Sequence, residues 1–160
     1  MDTRTERTLE RPQIRNPHST AQIAGHPIHP MLIPFPIAFF VATFVCDLAF
    51  LRTGNTDWAS ATEWLLGAGL VIAALAAVAG VIDFFGEKRI RNLNAAWLHG
   101  GGNVIAVLIS LYNFYIRYEN GAAVVRSPGV MLSTVVVLIL LFTGWKGWEM
   151  VYRHRVGIAD

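Results

Sequence analysis

Three histidines stand where imidazole chemistry is possible. His26 and His29 lie within Gly25-His-Pro-Ile-His-Pro, and His99 opens a run that continues to Asn103. Imidazole nitrogen ligates transition metals and haem iron, and a carboxylate or other polar partner commonly fixes the tautomer from behind. Asp83 and Asn103 could serve in that way. We therefore expect His26, His29 and His99 to bind a transition metal or haem b, with Asp83 and Asn103 in support. The plainer alternative has these histidines capping helix ends and bonding to loop carbonyls. His154, near the C-terminus, could join either arrangement. No nucleophile–base pair and no paired carboxylates point to hydrolysis, so a non-enzymatic role is preferred.

A second set of residues is defined by its period. His99, Asn103, Ala106, Ser110, Asn113 and Arg117 follow one another at steps of four, three, four, three and four. Eighteen positions are five turns at about 3.6 residues each, so all six share one helical stripe. Every member is polar, charged or small within an apolar segment, and such a stripe in lipid must face the protein interior. Asp47 sits near the end of an earlier apolar segment, at the same level as Arg117. Either charge alone would be costly there, so Asp47 is expected to pair with Arg117, with Asn113 beside them, as a structural ion pair. The competing use of the stripe is a path for protons or substrate in a small transporter or proton-coupled component.

Helices must position these groups, and the composition requires them to do so in a membrane. The 160 residues are 54% hydrophobic and 15% charged, against about 25% charged in a soluble domain. Runs without Asp, Glu, Lys, Arg or His cover residues 30–46, 64–82, 100–116 and 127–145, each 17 or 19 long. A membrane-crossing helix needs about 20 mostly apolar residues. Strict alternation is absent, which excludes a barrel and leaves helices. The fold expected is all-α: an integral membrane four-helix bundle, up-down-up-down, filling residues 25–155.

Within that frame residues 1–24 form a polar, disordered tail and residues 156–160 a short terminal one. Basic residues set the orientation. Arg4, Arg7, Arg11 and Arg15, then Lys88, Arg89 and Arg91, then Lys146, Arg153 and Arg155 fall on one side, against Arg52, Arg117 and Arg126 on the other. Both termini are then cytoplasmic, in a bacterial inner membrane. The net charge of +2 reflects this topology and gives no reason for a nucleic-acid partner. The partners implied are the lipid bilayer and either a redox partner or a second copy of the chain.

The four prolines of residues 27–36 keep His26 and His29 in extended backbone, with continuous helix over residues 34–51. The later spans are expected over 61–85, 95–116 and 130–148. Gly69, Ala73, Ala76, Gly80 and Asp83 share a face of the second, whose small residues permit close packing, either inside the bundle or in assembly with another membrane protein. Trp97, Trp145, Trp148 and Tyr152 mark one membrane boundary, and Trp58, Tyr112 and Tyr115 the other. The lone Cys46 lies in the first span, so no intrachain disulfide forms. Gly100-Gly101-Gly102 lacks the ending of a phosphate loop. No internal repeat is evident.

The segment GHPIHPMLIPFPIAFF with the following Asp47, Gly80 to Asp83, His99 with Asn103, Asn113 to Arg117, and GWEMVYRHRVG resembles a bacterial family of small predicted membrane proteins, domain of unknown function 2231. The resemblance covers nearly everything after residue 24. It implies a four-helix membrane domain without an assigned activity, and its pattern falls on His26, His29, Asp47, Asp83, His99, Asn103, Asn113 and Arg117. Some members carry an attached Rieske or other redox module, which favours a redox-accessory role. Trp148 and Arg155 depart from the small residues that the pattern expects, so His154 is not carried over.

Overall fold

A computed structural model describes residues 16–158. The arginines expected in the tail, Arg4 to Arg15, lie outside the described residues. A two-residue hairpin, β1 (Gln22–Ile23) and β2 (His26–Pro27), leads into six helices: α1 (Ile28–Leu32), α2 (Pro34–Thr53), α3 (Thr56–Gly86), α4 (Lys88–Arg91), α5 (Asn94–Asn120) and α6 (Val130–Trp148).

Local chemistry sets the boundaries. Pro34 and Pro36 occupy the first turn of α2, where an N–H has no intrahelical partner to lose. Gly54, at φ 69°, ends it in the left-handed conformation that favours glycine. Asn55 then caps α3, its side chain accepting from the Asp57 amide, so α3 begins five residues before the span expected over 61–85. Between α5 and α6 a 3₁₀ turn and a wide turn carry the chain around, with Ser127 extended before a cis bond to Pro128.

His29 departs from expectation. It lies inside α1 rather than in extended backbone. Pro30 follows it, but both belong to the first turn, where the missing N–H costs nothing. The segment expected to be a tail is also partly structured, since residues 19–21 bond to the end of α3 and residues 22–23 pair in the hairpin.

Three continuous helical stretches, Ile28–Thr53, Thr56–Gly86 and Asn94–Arg153, are long and apolar enough to cross a membrane, and the last contains both α5 and α6. The long helices close into a ring. Helix α2 packs on α3 and α6, and α5 packs on α6 and α3. The small-residue face of α3 is consumed inside it: Gly69, Ala73 and Ala76 are buried, and a Cβ at Gly69 would stand 2.7 Å from the Phe40 ring. Assembly with another protein through that face is thereby ruled out. The distribution of polarity is that of a protein in lipid. Val71, Leu75, Val78, Leu108, Leu138 and Leu141 point outward, whereas Thr43, Thr62, Ser110, Ser133 and Thr143 are buried.

The two halves of the ring repeat one plan, contrary to the sequence expectation of no repeat. Eighteen positions separate His29 from Asp47 and His99 from Arg117, and fourteen separate His29 from Thr43 and His99 from Asn113. The hairpin α2–α3 corresponds to the hairpin α5–α6, and the contacts of α2 with α6 mirror those of α5 with α3. Equivalent helices face each other across the ring about a pseudo-two-fold axis.

Candidate functional site

Two polar centres lie at opposite ends of the ring. The first is built on His29 and His99. His29 Nδ1 lies 2.8 Å from the Ala76 carbonyl oxygen, and His99 Nδ1 lies 2.8 Å from that of Thr143. A carbonyl oxygen only accepts, so each Nδ1 is the donor, and the neutral form of each ring carries its lone pair on Nε2.

Glycines make these bonds possible. Gly80 and Gly147 each stand four residues beyond the accepting carbonyl. A Cβ at Gly80 would come within 3.1 Å of the His29 ring, and one at Gly147 within 3.2 Å of the His99 ring. Their absence lets each imidazole lie flat against a helix backbone and reach a main-chain oxygen. Both halves of the chain thus use one device to hold one histidine. The ring centroids are 6.1 Å apart with planes at 84°.

Asn103 belongs to this centre. Its Nδ2 lies 3.2 Å from His99 Nε2 and also donates to the His99 carbonyl, while its Oδ1 accepts from Thr143 Oγ1 at 3.1 Å. Thr143 was not singled out in the sequence. A hydroxyl inside an apolar run is the signal that marks it.

His26 and Asp83 do not join. His26 Nδ1 bonds to the Ala24 carbonyl within its own exposed turn. Asp83 instead accepts from Ser19 Oγ at 2.8 Å and from the amides of Thr20 and Ala21 at 2.7 Å each. It anchors a strap, residues 16–21, across the histidine end. Gly86 leaves room for the Thr20 side chain, Arg89 donates to the Asn16 carbonyl, and the Gly157 amide donates to that of Pro17 at 2.8 Å. Nearby, Arg89 holds the Glu87 carboxyl down to a pKa of about 2, chiefly by side-chain and backbone hydrogen bonds. His154 sits on the final wide turn of the chain, its amide bonded to the Glu149 carbonyl. Among the described residues no group of three or more His, Cys, Asp or Glu could hold a metal ion.

The second centre is wholly buried. Arg117 Nη1 and Nη2 donate to the two Asp47 oxygens at 2.6 and 2.9 Å, and Nε donates to Asn113 Oδ1 at 2.9 Å. Thr62 Oγ1 accepts from Nη1 at 2.6 Å and Ser133 Oγ from Nη2 at 3.3 Å. Asn113 Nδ2 donates to Ser133 Oγ and to the Gly129 carbonyl. Every donor of the guanidinium fork therefore meets an oxygen, the condition under which buried charges persist.

His99 and Arg117 are about 27 Å apart along α5, at 1.5 Å per residue. Between them Ala106 packs with Phe40, Leu66 and Val136 in the apolar core. Ser110 is buried there without a hydrogen-bond partner. The stripe is thus two separate polar centres with an apolar layer between, rather than a continuous polar route.

The family model described as "Predicted membrane protein (DUF2231)" matches residues 25–160. No curated protein and no solved structure matches the chain. An apolar outer surface, long apolar helices and a match over most of its length lead to one conclusion: the chain belongs to the DUF2231 family of predicted membrane proteins.

Proposed function

We propose that this protein is a four-span bacterial inner-membrane protein with both termini in the cytoplasm, and that it binds haem b between His29 and His99 in a redox-accessory role. The orientation follows from the basic residues gathered at the histidine end. The observation that carries the haem reading is the pair of Nδ1–carbonyl bonds behind two rings 6.1 Å apart. Metal-ligating histidines characteristically donate their other N–H to a carbonyl in this way.

The donor set favours haem over a bare metal ion. A bare transition-metal ion takes three or four protein ligands, and only two histidines meet here. Haem supplies four nitrogens of its own and asks the protein for two axial ligands. A ligating imidazole nitrogen lies about 2 Å from its metal and the ring centre roughly 1 Å beyond, so opposed axial rings have centroids about 6 Å apart. The spacing of His29 and His99 fits. The Asn103 amide bonds to His99 Nε2, and ligation there would leave it its bonds with Thr143 and the His99 carbonyl.

The test is to express the chain with supplemented haem precursor, purify it in detergent, and record visible spectrum and haem content. One haem per chain is expected, lost in His29→Ala and His99→Ala but kept in His26→Ala. A colourless wild-type protein would exclude the reading.

A further inference from the structure

We propose that the corner between α3 and α5 holds one anionic phospholipid, its phosphate gripped by Lys88 and Arg91 and an acyl chain lying against Phe85 and Trp97. The site stands apart from the histidine centre and does not depend on what the histidines bind.

The corner is built by α4, a single turn. One side of it carries Ile90, which is buried, and Arg89, which reaches the strap through the Asn16 carbonyl. Lys88 and Arg91, three positions apart, share the other side, with Lys88 exposed and Arg91 half-buried. Two bonds aim Arg91. Its Nη1 donates to the Phe85 carbonyl at 3.0 Å, and its own carbonyl accepts from the Trp97 indole N–H at 2.9 Å. Among the described residues nothing engages the Nε–Nη2 edge of the guanidinium, an edge that can meet two phosphate oxygens at once. Beside it the Phe85 ring stands edge-on to Phe84 at 5.3 Å, and Phe84 to Trp97 at 4.8 Å. Phe85 and Trp97 are exposed, and Phe85 continues the outward face of α3 through Val78, Val81 and Ile82 at helical spacing. An acyl chain has that whole face to lie along.

Charge decides which lipid fits. The acids at this end are already engaged, Asp83 by the strap, Glu87 by Arg89, and Glu149 by Lys146 and Arg153. Among the described residues neither Lys88 nor Arg91 has a carboxylate partner. Two positive charges thus stand uncompensated at the edge of an apolar surface. A zwitterionic headgroup brings a cation of its own to such a place, whereas phosphatidylglycerol brings only the negative charge that is missing. The pseudo-two-fold axis makes the site single. The offset of sixty-seven positions that carries Gly80 onto Gly147 carries Phe85 onto Tyr152 and Lys88 onto Arg155, but Arg91 onto Ile158. The second corner keeps a ring and one cation and lacks the guanidinium of the first.

The test takes the full-length protein, delipidated in detergent, and offers it phosphatidylglycerol or phosphatidylcholine with brominated acyl chains. Native mass spectrometry counts the lipid retained. Bromine quenching of fluorescence reports its approach to Trp97, with Trp97→Phe identifying that residue's share. Expected are one phosphatidylglycerol per chain, little phosphatidylcholine, and quenching of Trp97 by the former. One cation near an anionic lipid is worth about five-fold in binding, so Lys88→Ala and Arg91→Ala should each weaken retention by about that factor. Arg155→Ala, at the incomplete corner, should leave it unchanged. The comparison of the two lipids on the wild-type chain tests the proposal even where a variant fails to fold. Equal retention of both lipids, equal losses in Arg155→Ala and Arg91→Ala, or displacement of the lipid by soluble glycerol phosphate would overturn it.

Discussion

Arg117 and Asp47 meet along a shared edge, two guanidinium nitrogens against two carboxylate oxygens, with neither side chain reaching the surface. They come from the equivalent helices α5 and α2, at equivalent positions of the two halves. Identical residues there would face each other as like charges. Opposite ones tie the hairpins together.

Removing one partner strands the other in a low-dielectric interior. Asp47→Ala or Arg117→Ala should lower stability by about 3–5 kcal/mol, read as denaturant unfolding in micelles. The exchange Asp47→Arg with Arg117→Asp keeps the pair on the axis and should recover more than half of that loss. A double variant no more stable than the singles would show that the surrounding hydroxyls, not the two-fold placement, decide the pairing.

Gly80→Ala and Gly147→Ala each place a methyl against an imidazole. Each should weaken one Nδ1–carbonyl bond, lowering stability by about 1 kcal/mol, and should lower haem content far more than stability. Parallel measurement of the unfolding midpoint and haem per chain checks this, with Gly144→Ala, where a Cβ meets open space, as the control.

Asn103 occupies the lone pair that a metal would need. Asn103→Ala should therefore tighten haem binding by about five-fold, since one net hydrogen bond is worth about 1 kcal/mol. Titration of the haem-free protein measures it. Weaker binding would mean that Asn103 chiefly orients the ring.

Glu87 gives the histidine end its acid sensitivity. Its carboxyl is held at about 2 against an ordinary 4.5, so folding favours the ionised form. That contribution is complete above about pH 4.5 and disappears as pH falls through about 2. The Tm of wild type should exceed that of Glu87→Gln at neutral pH, with the gap closing across this window. A gap unchanged down to pH 2 would remove Glu87 from the account.

The helices were legible because charge-free runs of membrane length leave few alternatives, and the run 127–145 points directly to α6 (Val130–Trp148). Asp47 and Arg117 announce each other through cost, since an unpartnered charge between apolar neighbours is unfavourable from either side. Asp83 misled because its partners are backbone amides of Thr20 and Ala21, which every residue but proline carries and no side-chain pattern reveals. His29 misled through its following proline, harmless in a first helical turn. The repeat escaped because equivalent positions hold unlike residues, Asp47 with Arg117 and Thr43 with Asn113. Equal spacing was all that remained of it.

The strap joins stretches far apart in the sequence. Asn16 bonds to Ile158 across 142 positions of sequence, beside the contact of Pro17 with Gly157. Asp83 is available to receive the strap as soon as α3 exists, but the closing bonds must wait until α6 and the turn after it have been made. The histidine end is therefore sealed only once α6 is in place.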